Sequence, residues 1–300
     1  MTRVFLTGGS GFLGGAILRE LAAHGHAVTP GNLREPTSCL PMLEGVDAVV
    51  HAASTGPHWS AAPDGARARS RECVRALVDA AIAARARRLV LVSTAAVYGR
   101  GVTGVVAESQ PVRPGADLCA LIHLDAEELA FEEHRRGRLE VCALRAATCY
   151  GAGDRSFVPR LVGDLRAGKS AVIGDGAARP VLCDARALAG LARLAVEHPA
   201  AGGEVFHAAD ADCRMSWREV QQGIHGAPLR TVPEWAARIA ASGAEALARL
   251  TGGEPRLTHG VVDLLTARHR LSVDRARALG WTPAPDSATG LLECVRLLGP

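Results

Sequence analysis

Lysine is almost absent from this chain of 300 residues: Lys169 is the only one, and arginine carries the rest of the positive charge. Tyrosine is nearly as scarce, with Tyr98 and Tyr150 alone. The residue four before Lys169 is Leu165, so no Tyr-x-x-x-Lys pair exists anywhere in the sequence. An excess of one charge sign is also missing. The formal net charge is +3, which supplies no electrostatic reason to expect nucleic acid as a partner. The arginine clusters at Arg85, Arg87, Arg88 and at Arg135, Arg136, Arg138 each close an expected helix, where cations suit the negative end of the dipole. No apolar run reaches the about 18 residues of a membrane span, so no membrane association is expected. The opening MTRVFLTGG enters a strand at once, without a charged segment followed by an apolar one, so no signal peptide is expected. The eight cysteines form no CxxC pair and no His/Cys cluster with zinc spacing. No metal site is expected, and free thiols in a reducing cytoplasm fit best.

What is present is alternation. Val4–Thr7 reads as a short buried strand, and Leu13, Ile17, Leu18 and Leu21 follow at helical spacing. Ala27–Thr29, Val46–His51, Leu89–Val92, Glu140–Leu144 and Val205–His207 read as further strands. A long amphipathic helix is marked by Val74, Leu77, Val78, Ala81 and Ile82, and another is expected over Glu127–Arg136. Repeated βα units of this kind predict an α/β fold with a doubly wound parallel sheet. The last third reads instead as short helices over Pro233–Leu250, Val261–His269 and Ser272–Leu279.

Residues 7–14 read Thr-Gly-Gly-Ser-Gly-Phe-Leu-Gly, directly between the first strand and the first helix. Gly8, Gly11 and Gly14 have the spacing of a loop that turns tightly, lets a pyrophosphate approach the backbone and presents helix N-terminal N–H groups to it. A glycine triplet alone is weak evidence in a chain with 33 glycines; its place between strand and helix makes it strong. The candidate cofactor residues of this loop are Gly8, Ser10, Gly11, Phe12, Leu13 and Gly14.

Taken with Val46–Ala53, Val92–Gly99 (VSTAAVYG) and Leu144–Asp154 (LRAATCYGAGD), this loop resembles the NAD-dependent epimerase/dehydratase or extended short-chain dehydrogenase/reductase family. The resemblance covers nearly the whole chain. It implies a Rossmann-type core over residues 1–150, to which 181–210 return. A smaller, mostly helical substrate cap is expected from 151–180 and 211–300. It also places Ala52, Ala53 and Ser54 beside the cofactor.

Two departures from the family stand out. The second strand runs almost directly into Gly31-Asn32-Leu33-Arg34, so roughly one strand–helix unit is missing and the sheet is expected to be one strand short. Asn32 and Leu33 then fall where family members contact adenine. No acid closes the short strand and Arg34 stands nearby, which favours NADP(H) over NAD(H), since arginine suits a 2′-phosphate. The second departure is catalytic. The family's Tyr and Lys positions align with Cys119 and His123, with Glu127 at a commonly acidic helix position. The Ser/Thr position survives as Thr94.

A carbonyl reduction remains chemically open without the tyrosine. Orientation is worth about 10⁵–10⁸ M in effective molarity, against about 10²–10⁴-fold for a general acid. Thr94 and His123 are the candidate catalytic residues. Thr94 either donates to a substrate carbonyl or satisfies backbone; His123 either moves a proton or holds the ribose. His58, Trp59, Tyr98, Tyr150 and Phe157 are candidates to line a substrate pocket, with packing or a surface loop as the alternative. The lost pair resembles atypical reductases of antibiotic pathways. That resemblance implies a ketoreductase of a polycyclic aromatic polyketide, acting as a monomer or homodimer, with the proton from a substrate hydroxyl, water or His123. A nucleotide-sugar epimerase or dehydratase, and a non-enzymatic NADP(H)-binding redox sensor, are the alternatives.

Overall fold

The structure is a computed structural model and describes residues 1–31, 40–53, 60 and 62–298. Its first half runs β1 (Arg3–Thr7), α1 (Phe12–Ala23), β2 (Ala27–Gly31), β3 (Ala48–His51), α2 (Pro63–Ala83), β4 (Arg88–Thr94), β5 (Thr103–Val106), α3 (Leu118–Arg135) and β6 (Glu140–Ala146). Then follow β7 (Thr148–Tyr150), α4 (Phe157–Arg166), β8 (Val172–Ile173), β9 (Leu182–Asp184), α5 (Ala185–Glu197) and β10 (Val205–Ala208). The chain ends with α6 (Trp217–His225), β11 (Thr231–Val232), α7 (Glu234–Thr251), α8 (His259–Thr266), β12 (Arg268–Leu271), α9 (Asp274–Ala278) and α10 (Ser287–Leu297).

Among the described residues the main sheet has six strands in the order β10-β6-β4-β3-β1-β2, and every neighbouring pair is parallel. The expected Rossmann-type sheet is therefore present, and among the described residues no strand lies beyond β2, as the short connection predicts. Pro30 shows why β2 suits an edge: it has no N–H to give a further neighbour. Both sheet faces are covered, so the central strands are mostly apolar, as parallel strands are, with single buried polar residues such as His51, Ser93, Arg145 and His207. Val4 and Leu6 point to the face covered by α1 and α5, while Phe5 between them points to the face covered by α2 and α3. Val90 and Leu89, then Leu144 and Ala143, divide in the same way.

Three sequence expectations about element bounds are corrected. The helix expected from Glu127 begins at Leu118, because Asp117 caps it by accepting from Ala120 N at 2.8 Å. The helix expected over Val261–His269 stops at Thr266, and Arg268–Leu271 is a strand paired in parallel with Thr103–Val106. That partner lies far away in sequence, and no local pattern announces it. The helix expected over Ser272–Leu279 is shorter, at Asp274–Ala278. Beyond β12 the chain packs on the main core: Leu271, Val273, Ala276, Leu279 and Trp281 join the α1/α5 cluster, and Trp281 Nε1 donates to Ala187 O at 2.7 Å. A separate cluster links Tyr150, Val158, Val162, Trp217, Ala288 and Leu291 across α4, α6 and α10.

Candidate functional site

The glycine loop is built from close approaches that exclude side chains. Gly8 has φ +76°, and a Cβ there would lie 2.7 Å from the Ala53 backbone. A Cβ on Gly14 would lie 2.0 Å from Gly8 O. Gly11 N donates to Gly8 O at 2.9 Å, closing the turn, and Gly11 then caps α1 with no side chain to satisfy the first N–H groups. Those groups are free to meet an anion. Ser10 is exposed at the loop tip. Phe12 and Leu13 pack against the main core, and the Phe12 ring borders Gly151 and Gly153. This cradle fits a dinucleotide: Gly8, Gly11 and Gly14 would hold the pyrophosphate, and the small Ala52 and Ala53 would admit the ribose. Gly8 N also donates to Gly31 O at 3.3 Å, so the end of β2 abuts the loop. Asn32, Leu33, Arg34, Ser54, His58 and Trp59 lie outside the described residues.

Beside the cradle, β1 and β3 end in a buried polar pair. Thr7 Oγ1 and His51 Nδ1 are 2.8 Å apart. Burial first, then the charge of His123, holds the His51 imidazole down to about 4, so it is neutral near pH 7. His123 lies on α3. Cys119 precedes His123 by one helical turn on a shared face. Burial, helped by the charge of Asp117, pushes the Cys119 thiol up to about 12. It is a thiol at neutral pH, not an activated nucleophile.

Thr94 closes β4. Its hydroxyl accepts from Ala96 N at 3.2 Å, capping the 3-10 turn Ala95–Tyr98. An accepting hydroxyl keeps its own proton to donate, and Thr94 is half-buried with that capacity unused by any backbone acceptor among its described contacts.

Behind Thr94 runs a continuous buried network. Ser93 Oγ donates to Glu127 Oε1 at 2.5 Å. Arg145 grips the same carboxylate through Nε at 3.1 Å and Nη2 at 2.6 Å. Arg145 Nη1 donates to the Tyr98 hydroxyl at 2.8 Å, which lies 2.6 Å from His207 Nε2. His207 Nδ1 lies 2.8 Å from Ser272 O. The donor directions follow from chemistry. A carbonyl only accepts, so Nδ1 carries the proton; burial first holds His207 down to about 4, so its Nε2 is a bare acceptor for the Tyr98 O–H.

For the two tyrosines the structure shows the packing alternative in their hydroxyl contacts. The Tyr98 hydroxyl is committed on both sides, to Arg145 and His207, and the residue also lines a cavity of about 380 Å³ with Arg100, Thr103, Gln110 and Arg113. Tyr150 is wholly buried and donates to Asp210 Oδ2 at 2.9 Å, with Ser287 Oγ on the same oxygen at 2.8 Å. Burial pushes its hydroxyl upward, so it ties β7 to α10 and holds its proton. Phe157 opens α4 half-buried against the Tyr150 cluster. His51, Ser93, Arg145 and His207 were not expected as site residues. Their signal is a polar residue inside an otherwise apolar buried strand.

Among the described residues no helix is long and apolar enough to cross a membrane, and no group of three or more His, Cys, Asp or Glu is placed to hold a metal ion.

The chain is 30% identical, over 337 aligned positions covering 99% of it and 97% of the relative, to the 4-hydroxy-2-methyl-3-oxo-4-farnesyl-3,4-dihydroquinoline-1-oxide ketoreductase of Stigmatella aurantiaca. It is 31% identical over 203 positions to the 2-alkyl-3-oxoalkanoate reductase of Stenotrophomonas maltophilia, covering 58% of this chain and 59% of that one. The chain spans 43%, 59% and 55% of the length of three of its relatives. Its fold is similar to that of the UDP-glucuronic acid 4-epimerase from Bacillus cereus in complex with NAD, with a TM-score of 0.76, 18% identity and coverage of 99% and 100%. The profile of the NAD dependent epimerase/dehydratase family matches residues 4–209. On that match, which spans more than half of its length, the chain belongs to the NAD dependent epimerase/dehydratase family.

Proposed function

We propose that the chain is an NAD(P)H-dependent ketoreductase that works without the tyrosine–lysine pair of its family. The observation that carries this reading is an intact glycine cradle after β1 in the same parallel sheet whose strand β4 ends at the half-buried Thr94 hydroxyl; a neutral Cys119 thiol and His123 occupy the positions that the family resemblance assigns to the pair. When bound, the reduced nicotinamide supplies a hydride. Gly8, Gly11 and Gly14 hold the phosphates, and Thr94 donates a hydrogen bond to the ketone oxygen as negative charge grows there. Cys119 leaves space at the tyrosine position. The alkoxide proton comes from a neighbouring substrate hydroxyl, from water or from His123. Epimerases and dehydratases must instead remove a proton from an unactivated alcohol, for which this site offers no activated tyrosine.

The substrate we propose is a polycyclic aromatic polyketide, an angucyclinone-type antibiotic intermediate. A phenol beside the carbonyl would polarise the ketone and return the proton itself. The ketoreductase of simocyclinone biosynthesis, which the chain resembles in lacking the Tyr-x-x-x-Lys pair, prompts this choice, and two relatives at 30% and 31% identity carry ketoreductase and reductase names. Residues 151–180 and 211–300, including Phe157, would supply the substrate side, and His58 and Trp59 remain candidates for it from the sequence. Arg34 favours NADP(H). The reading places the protein in the cytoplasm.

Calorimetric titration with NADPH and NADH, followed by nicotinamide absorbance with a panel of phenolic polycyclic ketones, tests this function. Tighter NADPH binding with oxidation on a phenolic ketone supports it. Binding with no oxidation across the panel, or turnover of a nucleotide sugar, overturns it.

A further inference from the structure

Two thiols outside the proposed reaction lie side by side. In the short parallel pair β7–β9, Cys149 and Cys183 are direct register partners. Register partners project from the same face of a pair whose strands are about 4.8 Å apart. That separation falls inside the roughly 4.4–6.8 Å between Cα atoms that a disulfide spans. The neighbouring Cys149 thiol first, then burial, holds the Cys183 thiol well above the ordinary range. Both are free thiols, Cys149 donating to Ala147 O at 3.4 Å and Cys183 to Asp184 O at 3.5 Å. Cys149 is half-buried and Cys183 wholly buried. No other described cysteines are strand partners of one another.

We propose that Cys149 and Cys183 are a redox-modifiable pair that a hydroperoxide closes into a disulfide. Cys149, the accessible member, reacts first. Its sulfur bonds to the terminal peroxide oxygen, the O–O bond breaks, and one molecule of water leaves when the oxidant is hydrogen peroxide. The resulting sulfenic acid faces Cys183, whose sulfur attacks it: the S–S bond forms, the S–O bond breaks, and a second water departs. The two thiols lose two electrons and two protons, and the peroxide is reduced to water. The bond would stiffen what each strand leads into. β7 continues into Gly151 and Gly153, which border Phe12 of the glycine loop, and β9 continues into Asp184, which caps α5 by accepting from Arg186 N at 2.7 Å.

Peptide mapping of the intact folded chain tests the pair. Hydrogen peroxide is added at low excess, remaining thiols are alkylated, and the protein is digested with trypsin without reduction. Cys149 falls in the peptide 146–155 and Cys183 in the peptide 170–186, since trypsin does not cut before Pro180. Each contains a single cysteine. The expected product is these two peptides linked, lighter by two hydrogens, and separated again by dithiothreitol. In a Cys183→Ser variant, dimedone is expected to trap the sulfenic acid on Cys149. Alkylation of both thiols after peroxide has oxidised other cysteines would overturn the proposal. So would linkage of either one to a different cysteine.

Discussion

Ser93 Oγ donates to Glu127 Oε1 at 2.5 Å, which fastens the strand end bearing Thr94 to the helix bearing His123. Arg145 holds the other side of the carboxylate, and both side chains are almost wholly inaccessible, at 8% and 4% exposure. A buried pair of this kind is weak evidence for stability as such, because desolvation offsets attraction. Breaking it is a different matter, since one charge is then left without a partner. Glu127→Gln strands the Arg145 guanidinium and is expected to cost about 3–5 kcal/mol. Urea unfolding reads this as a lower midpoint at unchanged slope. An unchanged midpoint would mean that Arg145 finds water or another acceptor.

Acid sensitivity follows from His51 and His207. Each is held down to about 4 in the fold, chiefly by burial, against 6.5 for the unrestrained side chain. The unfolded chain therefore binds more protons between these values. The stability these two imidazoles contribute is expected to be level above pH 6.5, to fall as pH drops from 6.5 towards 4, and to be lost below 4. Urea midpoints between pH 8 and pH 4 would show the decline, whose steepness approaches about 1.4 kcal/mol per pH unit for each imidazole. A His207→Gln variant removes one of the two groups and should roughly halve the slope. A midpoint that stays flat to pH 4 would show that both imidazoles protonate freely within the fold.

Much of this fold can be read locally because its strands alternate faces within a few residues. Val4, Phe5 and Leu6 already divide between two cores, and Thr7–Gly14 announces the cradle by spacing alone. The short connection after Thr29 predicts the missing strand, and Pro30 at the sheet edge agrees with it. What sequence hides is direction. Tyr98 and Tyr150 both follow strands at the ligand-binding edge, yet each hydroxyl turns inward towards a partner met only in three dimensions, His207 and Asp210. β12 is hidden for the same reason, since Arg268–Leu271 becomes a strand only beside Thr103–Val106. The start of α3 is legible in the sequence: Asp117 is an ordinary N-cap residue, and Cys119 and His123 behind it share a helix face.

The glycine loop gives a prediction that separates binding from folding. A Cβ on Gly14 would overlap Gly8 O at 2.0 Å, and backbone cannot swing aside as a side chain can. Gly14→Ala must therefore displace the turn that presents the α1 N–H groups. NADPH affinity is expected to fall at least about tenfold, equivalent to about 1.4 kcal/mol, as measured by calorimetry on protein shown by circular dichroism to be folded. Unaltered affinity would mean that the pyrophosphate does not rest on this loop.

The roles proposed for Thr94, Cys119 and His123 can be distinguished by kinetics once a ketone substrate is in hand. Thr94 is the only one of the three read as donating to the developing alkoxide, so Thr94→Ala is expected to lower kcat by about 10²-fold, the scale of one lost oxyanion donor. Thr94→Ser keeps the hydroxyl and should recover most of the rate. Cys119→Ser should leave kcat within a few-fold, because a thiol pushed up to about 12 is not an ionised nucleophile. His123→Ala decides the proton source. If the substrate hydroxyl or water supplies it, the pH profile of kcat keeps its shape and only KM for the cofactor rises. If His123 supplies it, the limb of the profile that reports imidazole ionisation disappears with the side chain. The absence of an activated tyrosine makes the first outcome the expected one, since a substrate that brings its own acidic hydroxyl removes the need for a protein acid at that position.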